Sequence, residues 1–83
     1  MQSLARGLAV IETFGADAAE QTLSDVARRA GLARATARRL LHTLVALGYA
    51  ESDGRLFRLR PRVLDLGFSY LHAQGHWALA QPI

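Results

Sequence analysis

Residues 22–48 read TLSDVARRAGLARATARRLLHTLVALG, and this stretch decides how the chain folds. Thr22 followed by Asp25 matches a helix-capping pattern, in which the hydroxyl accepts a hydrogen bond from a free backbone amide and the acid favours the helix start. Apolar residues then recur at three- and four-residue steps on two helices, the first ending near Gly31 and the second near Gly48. Their predicted buried stripes are Leu23, Val26, Ala27 and Ala30, then Ala37, Leu40, Leu41, Leu44 and Leu47. Two short helices around a glycine turn predict a helix-turn-helix.

One further helix is predicted on each side of this motif. Periodic apolar residues predict a first helix from about Ser3, its expected N-cap, to Phe14. Residues 15–21 are small and polar without a period, which is typical of a surface loop. Pro61 has the fixed backbone angle suited to a first helical position, so a fourth helix is expected over 62–75.

A β-hairpin is predicted between the third and fourth helices. The runs 49–52 and 55–59 flank Asp53-Gly54, the dipeptide best suited to the positive backbone angles of a type I′ turn. With the helix-turn-helix before it, this hairpin takes the place of a wing. The predicted fold class is therefore mainly α with a small β-hairpin, a winged helix-turn-helix.

Length and composition limit the possible functions. The chain has 83 residues, 51% of them hydrophobic and 20% charged, which describes one small domain with little surface left to wall an enclosed pocket. It has no cysteine, so it has no disulfide and no thiolate metal site, and we expect a cytoplasmic protein. We also expect no membrane association, since no apolar stretch approaches the roughly 20 residues of a membrane span and no signal-peptide pattern is present. Most classes of enzyme are excluded on size.

The distribution of charge points to a polyanionic partner. All ten basic residues are arginine, and residues 34–62 hold seven of them against two acids, Glu51 and Asp53. Guanidinium groups bind phosphate and guanine edges with two hydrogen bonds, and each phosphate contact releases counterions. A merely solvated arginine surface is the alternative, which charge alone does not exclude.

The face of the third helix opposite its apolar stripe favours nucleic acid. Alanines keep this face narrow enough for a major groove roughly 12 Å wide. Arg39 or Arg38 is expected to bind guanine, Thr36 to contact a phosphate or a thymine methyl, and Arg34 to hold the backbone. The candidate contact residues on this helix are Arg34, Ala35, Thr36, Arg38, Arg39, His42 and Thr43, with Ala46 also exposed.

Three arginines elsewhere are weaker candidates for DNA contact. Arg55 and Arg58 are predicted to project from the hairpin tip, and Arg28 is placed on the helix that often crosses the DNA backbone.

Ala33 stands at the N-cap of the third helix, where a hydroxyl or carboxylate side chain is usual. A bound phosphate supplying the missing acceptor is one hypothesis, and simple tolerance of a poor cap is the other.

Several stretches of the sequence together carry a resemblance to a known family. They are Ser3-Leu4-Ala5-Arg6-Gly7-Leu8, Gly31-Leu32, Arg34-Ala35-Thr36-Ala37-Arg38-Arg39-Leu40-Leu41, Thr43-Leu44, Leu47-Gly48-Tyr49 and Asp53-Gly54-Arg55-Leu56-Phe57. Over nearly its whole length the chain resembles the amino-terminal DNA-binding domain of IclR-type bacterial transcriptional regulators. The resemblance implies a winged helix-turn-helix that binds operator DNA as a homodimer or tetramer, with a small-molecule effector bound by a separate domain. It divides the chain into a DNA-binding domain, 1–60, and a linker helix, 61–83, leading to an effector domain that is absent here. Family members usually carry a polar residue at the position of Ala33.

The wing and the stretch 61–67 most resemble the branch of this family that regulates aromatic-acid breakdown, such as the protocatechuate and hydroxybenzoate pathways.

The fourth helix has apolar residues on more than one side, so one side is expected to meet a second copy or a neighbouring domain. The chain is expected to continue in a longer protein, because 81–83 close no element.

Other functions find little support in the sequence. His72 and His76 have a metal-like spacing but no third ligand, so no metal is expected. Trp77 is expected to pack in the linker, and no catalytic group or cofactor motif is present. Two alternatives remain: a winged helix used as a protein-interaction module, and, more weakly, a basic helix lying on an anionic membrane.

Overall fold

The computed structural model describes residues 2–74, which form four helices and one small antiparallel sheet. This architecture confirms the predicted winged helix-turn-helix. Every helix in the described part is too short or too polar to cross a bilayer. In chain order the elements are α1 (Gln2–Glu12), β1 (Gln21–Thr22), α2 (Leu23–Ala30), α3 (Arg34–Leu47), β2 (Ala50–Ser52), β3 (Leu56–Leu59) and α4 (Val63–Ala73).

One apolar core joins the first three helices to the sheet. Its centre holds one side chain from each element, Val10 of α1, Val26 of α2, Leu41 of α3 and Phe57 of β3. Val10, Val26 and Leu41 have no exposed surface at all. Because α3 contributes its apolar stripe to this cluster, its opposite side necessarily faces outward.

The local signals around the helix-turn-helix are confirmed. The Thr22 hydroxyl accepts a hydrogen bond from the Asp25 amide at 3.2 Å, which caps α2. Gly31 after α2 and Gly48 after α3 have φ angles of 69° and 87°, in the left-handed region that favours glycine. These two glycines fix the chain directions on either side of α3.

The sheet has three strands in the order β1-β3-β2, one more than predicted. The sequence interpretation placed Gln21 in a surface loop, which is wrong, because this residue opens β1 opposite Phe57 and is only 2% exposed. Its side-chain amide donates to the Thr13 carbonyl at 3.2 Å. The strand β1 therefore fastens the wing to the start of α2.

The turn of the wing also differs from the prediction. A type I′ turn centred on Asp53-Gly54 needs positive φ at both residues, whereas in the described chain all positive φ angles belong to glycines. Ser52 pairs with Phe57, so the two central turn residues are Gly54, at φ 102°, and Arg55. Asp53 selects this turn because its carboxylate accepts hydrogen bonds from the amides of Arg55 and Leu56, at 2.9 and 2.8 Å.

Several predicted helix details need small corrections. Ser3 lies inside α1 rather than at its N-cap, and α1 ends at Glu12, two residues before Phe14. Leu47 was placed in the buried stripe, but it lies past the edge of the core and is 54% exposed. Pro61 precedes α4, whose first turn begins with a hydrogen bond from the Leu64 amide to the Pro61 carbonyl. The predictions for residues 75–83, including His76 and Trp77, lie outside the described residues.

Candidate DNA-binding surface

The solvent face of α3 carries the predicted contact residues, and its exposure is confirmed. Ala37 and Leu41 on the opposite side have no exposed surface, which fixes the rotation of this 14-residue helix about its axis. Thr36 is half-buried at the edge of the face. The exposed members are Arg34, Ala35, Arg38, Arg39, His42, Thr43 and Ala46.

The first turn of α3 lacks a side-chain cap. Ala33 at the N-cap has an extended backbone, with φ −61° and ψ 147°, and makes no capping hydrogen bond. Arg34, the first residue of the helix, donates instead from its guanidinium to the Ser24 hydroxyl of α2. This contact joins the starts of α2 and α3 across ten residues, and the sequence interpretation did not include Ser24 as a candidate.

A groove runs beside α3 between the start of α2 and the tip of the wing. It encloses about 340 Å³. On the α3 side it is lined by Arg34, Arg38 and His42, and on the wing side by Arg55 and Phe57. The rings of His42 and Phe57 lie with their centroids 6.5 Å apart.

The other side of the exposed α3 face carries Arg39 and two threonines. The Arg39 guanidinium lies 3.5 Å from the Thr36 hydroxyl, a long hydrogen bond. Thr43 donates its hydroxyl to the Arg39 carbonyl at 2.9 Å. No carboxylate pairs with Arg34, Arg38 or Arg39 in the part of the chain that the structure describes.

Arg58 is not at the wing tip, which corrects the predicted position. It lies inside β3, directly opposite Glu51 of β2, and its guanidinium contacts that carboxylate at 2.6 Å. On its other side it contacts Glu20 at 2.5 Å. The side chains are about half exposed, so water remains in contact with all three. Two acids therefore neutralise this arginine, and the sequence interpretation missed Glu20 because it lies far away in the chain.

The remaining arginines near the motif divide between ion pairs and packing. Arg28 lies in the last turn of α2 and pairs with Asp25 at 3.3 Å, with 69% of its side chain exposed. Arg60 approaches Glu51 at 3.9 Å. The Arg62 guanidinium lies over the Tyr49 ring, 4.9 Å from its centre, in a cation–π contact.

Within residues 2–74 no three histidines or acids come together in a cluster able to hold a metal ion. His72 lies exposed in the last turn of α4. Its suggested partner His76 lies outside the described residues.

Comparison with known proteins identifies the family to which this chain belongs. Residues 3–54 match the model of the IclR helix-turn-helix domain. The chain is 49% identical over 82 residues to the Pca regulon regulatory protein of Pseudomonas putida, covering 99% of this chain and 28% of that protein. It is 47% identical over 68 residues to the p-hydroxybenzoate hydroxylase transcriptional activator of Acinetobacter baylyi, covering 82% of this chain and 25% of that protein.

Solved structures agree with the sequence relatives. The fold matches the crystal structure of an IclR family transcriptional regulator from Brucella abortus with a TM-score of 0.79 and 37% identity, over 86% of this chain and 28% of that one. The chain thus spans between a quarter and a third of the length of the relatives described here. It belongs to the IclR family and contains the helix-turn-helix DNA-binding domain of these transcriptional regulators.

Proposed function

We propose that this chain reads operator DNA for a transcriptional regulator, with α3 in the major groove and the wing alongside. The observation that carries the proposal is the solvent face of α3, where three arginines are exposed and none is paired with an acid in the described chain. In duplex DNA the partners for such groups are phosphates and guanine edges. The proposed contact residues are Arg34, Ala35, Thr36, Arg38, Arg39, His42, Thr43 and Arg55, with Arg28 as an outlying phosphate contact.

Arg58 is left out of this set of direct contacts. Glu20 and Glu51 already occupy its guanidinium, and a phosphate would have to displace them.

A protein that reads operator DNA works in the cytoplasm, where bacterial DNA lies.

The salt dependence of binding tests the proposal. Anisotropy titrations would use the chain and a labelled duplex about three helical turns long. We expect log Kd to rise linearly with log salt concentration, with a slope of about 0.9 for each phosphate contacted. Arg6→Gln removes one exposed charge from α1, a helix that supplies none of the proposed contact residues, and serves as the matched control, with an unchanged slope. Two results would favour the protein-interaction alternative. One is DNA affinity that does not change with salt concentration, and the other is binding to a protein partner without binding to DNA.

We further propose that the full-length protein binds as a homodimer or tetramer. None of the described α4 residues is buried, and Leu64, Phe68 and Tyr70 are among the large apolar side chains exposed there. Beside α4 an apolar groove of about 520 Å³ lies between α1 and the second half of α3. A symmetric pair covers such surfaces and brings two recognition helices to half-sites roughly 34 Å apart. Sedimentation equilibrium of this chain and of the full-length protein measures the pairing, and monomers in both would refute it.

We also propose that the DNA-binding unit is coupled to a regulatory domain, because the chain spans only between a quarter and a third of the length of its relatives. In this proposal 1–60 form the DNA-binding unit, and 61–83, whose described part contains α4 (Val63–Ala73), connect it to an effector domain. The related regulators include the p-hydroxybenzoate hydroxylase transcriptional activator of Acinetobacter baylyi, so we propose that the regulated genes belong to aromatic-acid breakdown and that the effector is a small aromatic acid. A footprint of the full-length protein on promoters of candidate gene clusters, with and without the acid, tests this point. Protection confined to unrelated promoters would refute it.

A further inference from the structure

The polar side chains on the solvent face of α3 lie in two rows that face different surroundings. Residues four apart on a helix lie nearly above one another, so Arg34, Arg38 and His42 form one row. Thr36, Arg39 and Thr43 form the other row. The first row is the α3 wall of the groove beside the wing, whereas the second row is not among the groove-lining residues.

The groove beside the first row has the chemistry of a phosphate seat. Its lining includes three arginines, the Ser24 hydroxyl and no carboxylate. Cations reach it from two sides, Arg34 and Arg38 from the helix and Arg55 from the wing tip. Phosphate oxygens only accept hydrogen bonds, whereas base edges present donors as well as acceptors. A lining rich in cationic donors and free of acids therefore suits the backbone better than the bases.

The shape of the groove leads to the same assignment. Base edges lie at the floor of the major groove, where a protruding helix surface reaches them. A groove with protein on both sides instead accommodates the raised edge of the duplex, which is the sugar-phosphate backbone. Arg39 is exposed and lies outside this groove, so it remains free to reach a base edge.

We infer that the groove between α2, α3 and the wing seats the backbone of one DNA strand, so that Arg34 and Arg38 bind phosphates while Arg39 reads a base. This assignment rests on the proposed DNA-binding function and divides it between two neighbouring arginines. His42 and Arg55 contact the same strand. Ser24 is a positioning residue, because its hydroxyl holds the Arg34 guanidinium at the groove wall.

The neighbouring variants Arg38→Gln and Arg39→Gln test the division, since each removes one exposed charge from the same helix. The probes are a duplex enriched from a random pool by the wild-type chain and a duplex of unrelated sequence. Arg38→Gln is expected to weaken both by the same factor, roughly 3- to 10-fold, and to lower the salt slope by about 0.9. Arg39→Gln is expected to weaken the enriched duplex by roughly 5- to 150-fold more than the unrelated one.

The opposite pattern would overturn the assignment. If Arg38→Gln changed selectivity and left the salt slope unaltered, Arg38 would be a base contact and the groove would not hold the backbone. If the wild-type chain bound neither duplex, the proposed function would fall together with the assignment. Normal wild-type binding with the wrong division between the two arginines would overturn the assignment alone. Thermal unfolding of both variants confirms that each remains folded.

A double-mutant cycle tests the positioning role of Ser24. Ser24→Ala is expected to weaken binding of both duplexes in the wild-type background and to have no effect in the Arg34→Gln background. Ser24→Thr retains a hydroxyl and is expected to restore binding, while Ser69→Ala on α4 is the matched control with no effect on affinity. Equal losses from Ser24→Ala in both backgrounds would mean that Ser24 contacts DNA directly, and would refute its action through Arg34.

Discussion

The solvent face of α3 and the strand β3 of the wing are both rich in arginine, yet their arginines are in different states. Arg38 and Arg39 are exposed and have no acidic partner in the described chain, whereas Arg58 lies between two carboxylates at 2.5 and 2.6 Å. The difference comes from the residues that the fold places next to each arginine. The α3 segment contains no acid, while the sheet brings Glu51 of β2 and Glu20, the residue before β1, against Arg58.

This difference teaches that a count of basic residues does not measure a binding surface. Arg58 contributes to the basic composition of 34–62 as much as Arg38 does, but its charge is locally cancelled. A surface ion pair adds little to stability, typically 1 kcal/mol or less, so the pairing of Arg58 matters more for the electric field of the wing than for the fold.

The largest expected effect comes from removing what holds the α3 face in place. Leu41 has no exposed surface and packs in the core under that face. Leu41→Ala is expected to lower the free energy of unfolding by about 2–5 kcal/mol, because it leaves a cavity between α3 and the sheet. Urea denaturation measures it, and Leu47→Ala on the same helix, 54% exposed, is the control with a much smaller loss. Similar losses for both variants would mean that α3 is not anchored through Leu41.

Next in size is the effect of the one arginine at the wing tip. Arg55 follows Gly54 in the turn and lines the groove beside α3. Arg55→Ala is expected to cost about 1.5 kcal/mol of DNA affinity, equally on every sequence, because it removes a charge-assisted contact to phosphate. Titrations against several duplexes at one salt concentration measure the loss. A loss restricted to one sequence would instead make Arg55 a reader of the minor groove.

A smaller effect tests whether Arg58 contacts DNA directly or only pairs with its two acidic neighbours. Arg58→Ala is expected to weaken DNA binding by up to about 1 kcal/mol, because it leaves two acids uncompensated beside the wing. In a background carrying Glu20→Gln and Glu51→Gln, the same substitution is expected to have almost no effect. If Arg58→Ala weakened binding equally in both backgrounds, Arg58 would be a direct phosphate contact, as the sequence first suggested, and the contrast with α3 would disappear.

The elements that sequence predicts well are those set by local rules. Thr22, Gly31 and Gly48 mark the ends of α2 and α3 because capping and left-handed glycine act over four or five residues. The outward face of α3 follows from the same helical period. What escaped prediction depends on contacts between distant residues. A strand of two residues, Gln21 and Thr22, has no alternation to detect, and it forms because β3 offers it a partner.

The missed contacts of the site have the same origin. Arg34 meets Ser24 through the packing of α2 on α3, and Arg58 meets Glu20 across 38 residues through the three-stranded register. The predicted turn, centred one residue too early, paired Ser52 with Arg55 and so concealed that Glu51 lies opposite Arg58. Sequence therefore located the cations, but tertiary structure decided which of them are available.

The smallest expected effect concerns acid, to which the wing and α3 respond differently. Hydrogen bonds from the amides of Leu56 and Arg55 hold the pKa of Asp53 below its ordinary value. A carboxyl with a lowered folded-state pKa stabilises the turn above its ordinary pKa, near pH 4, and this contribution is lost as the pH falls through the lowered value. The α3 segment contains no acid, so it has no corresponding carboxyl of its own.

The pKa of Asp25 at the start of α2 is also lowered, by hydrogen bonds from Thr22 and Arg28. A global melting curve would therefore combine the acid responses of Asp25 and Asp53. Amide hydrogen exchange resolved by residue measures the wing and α3 separately. Below about pH 4 we expect the amides of Arg55 and Leu56 to lose protection before those in the middle of α3, after correction for the intrinsic exchange rates. Asp53→Asn retains an acceptor oxygen but does not titrate, so the acid-dependent part of the loss should vanish in that variant. Loss of protection at the same pH in the wing and in α3 would instead mean that the two regions unfold as one unit, and that the wing has no separate response to acid.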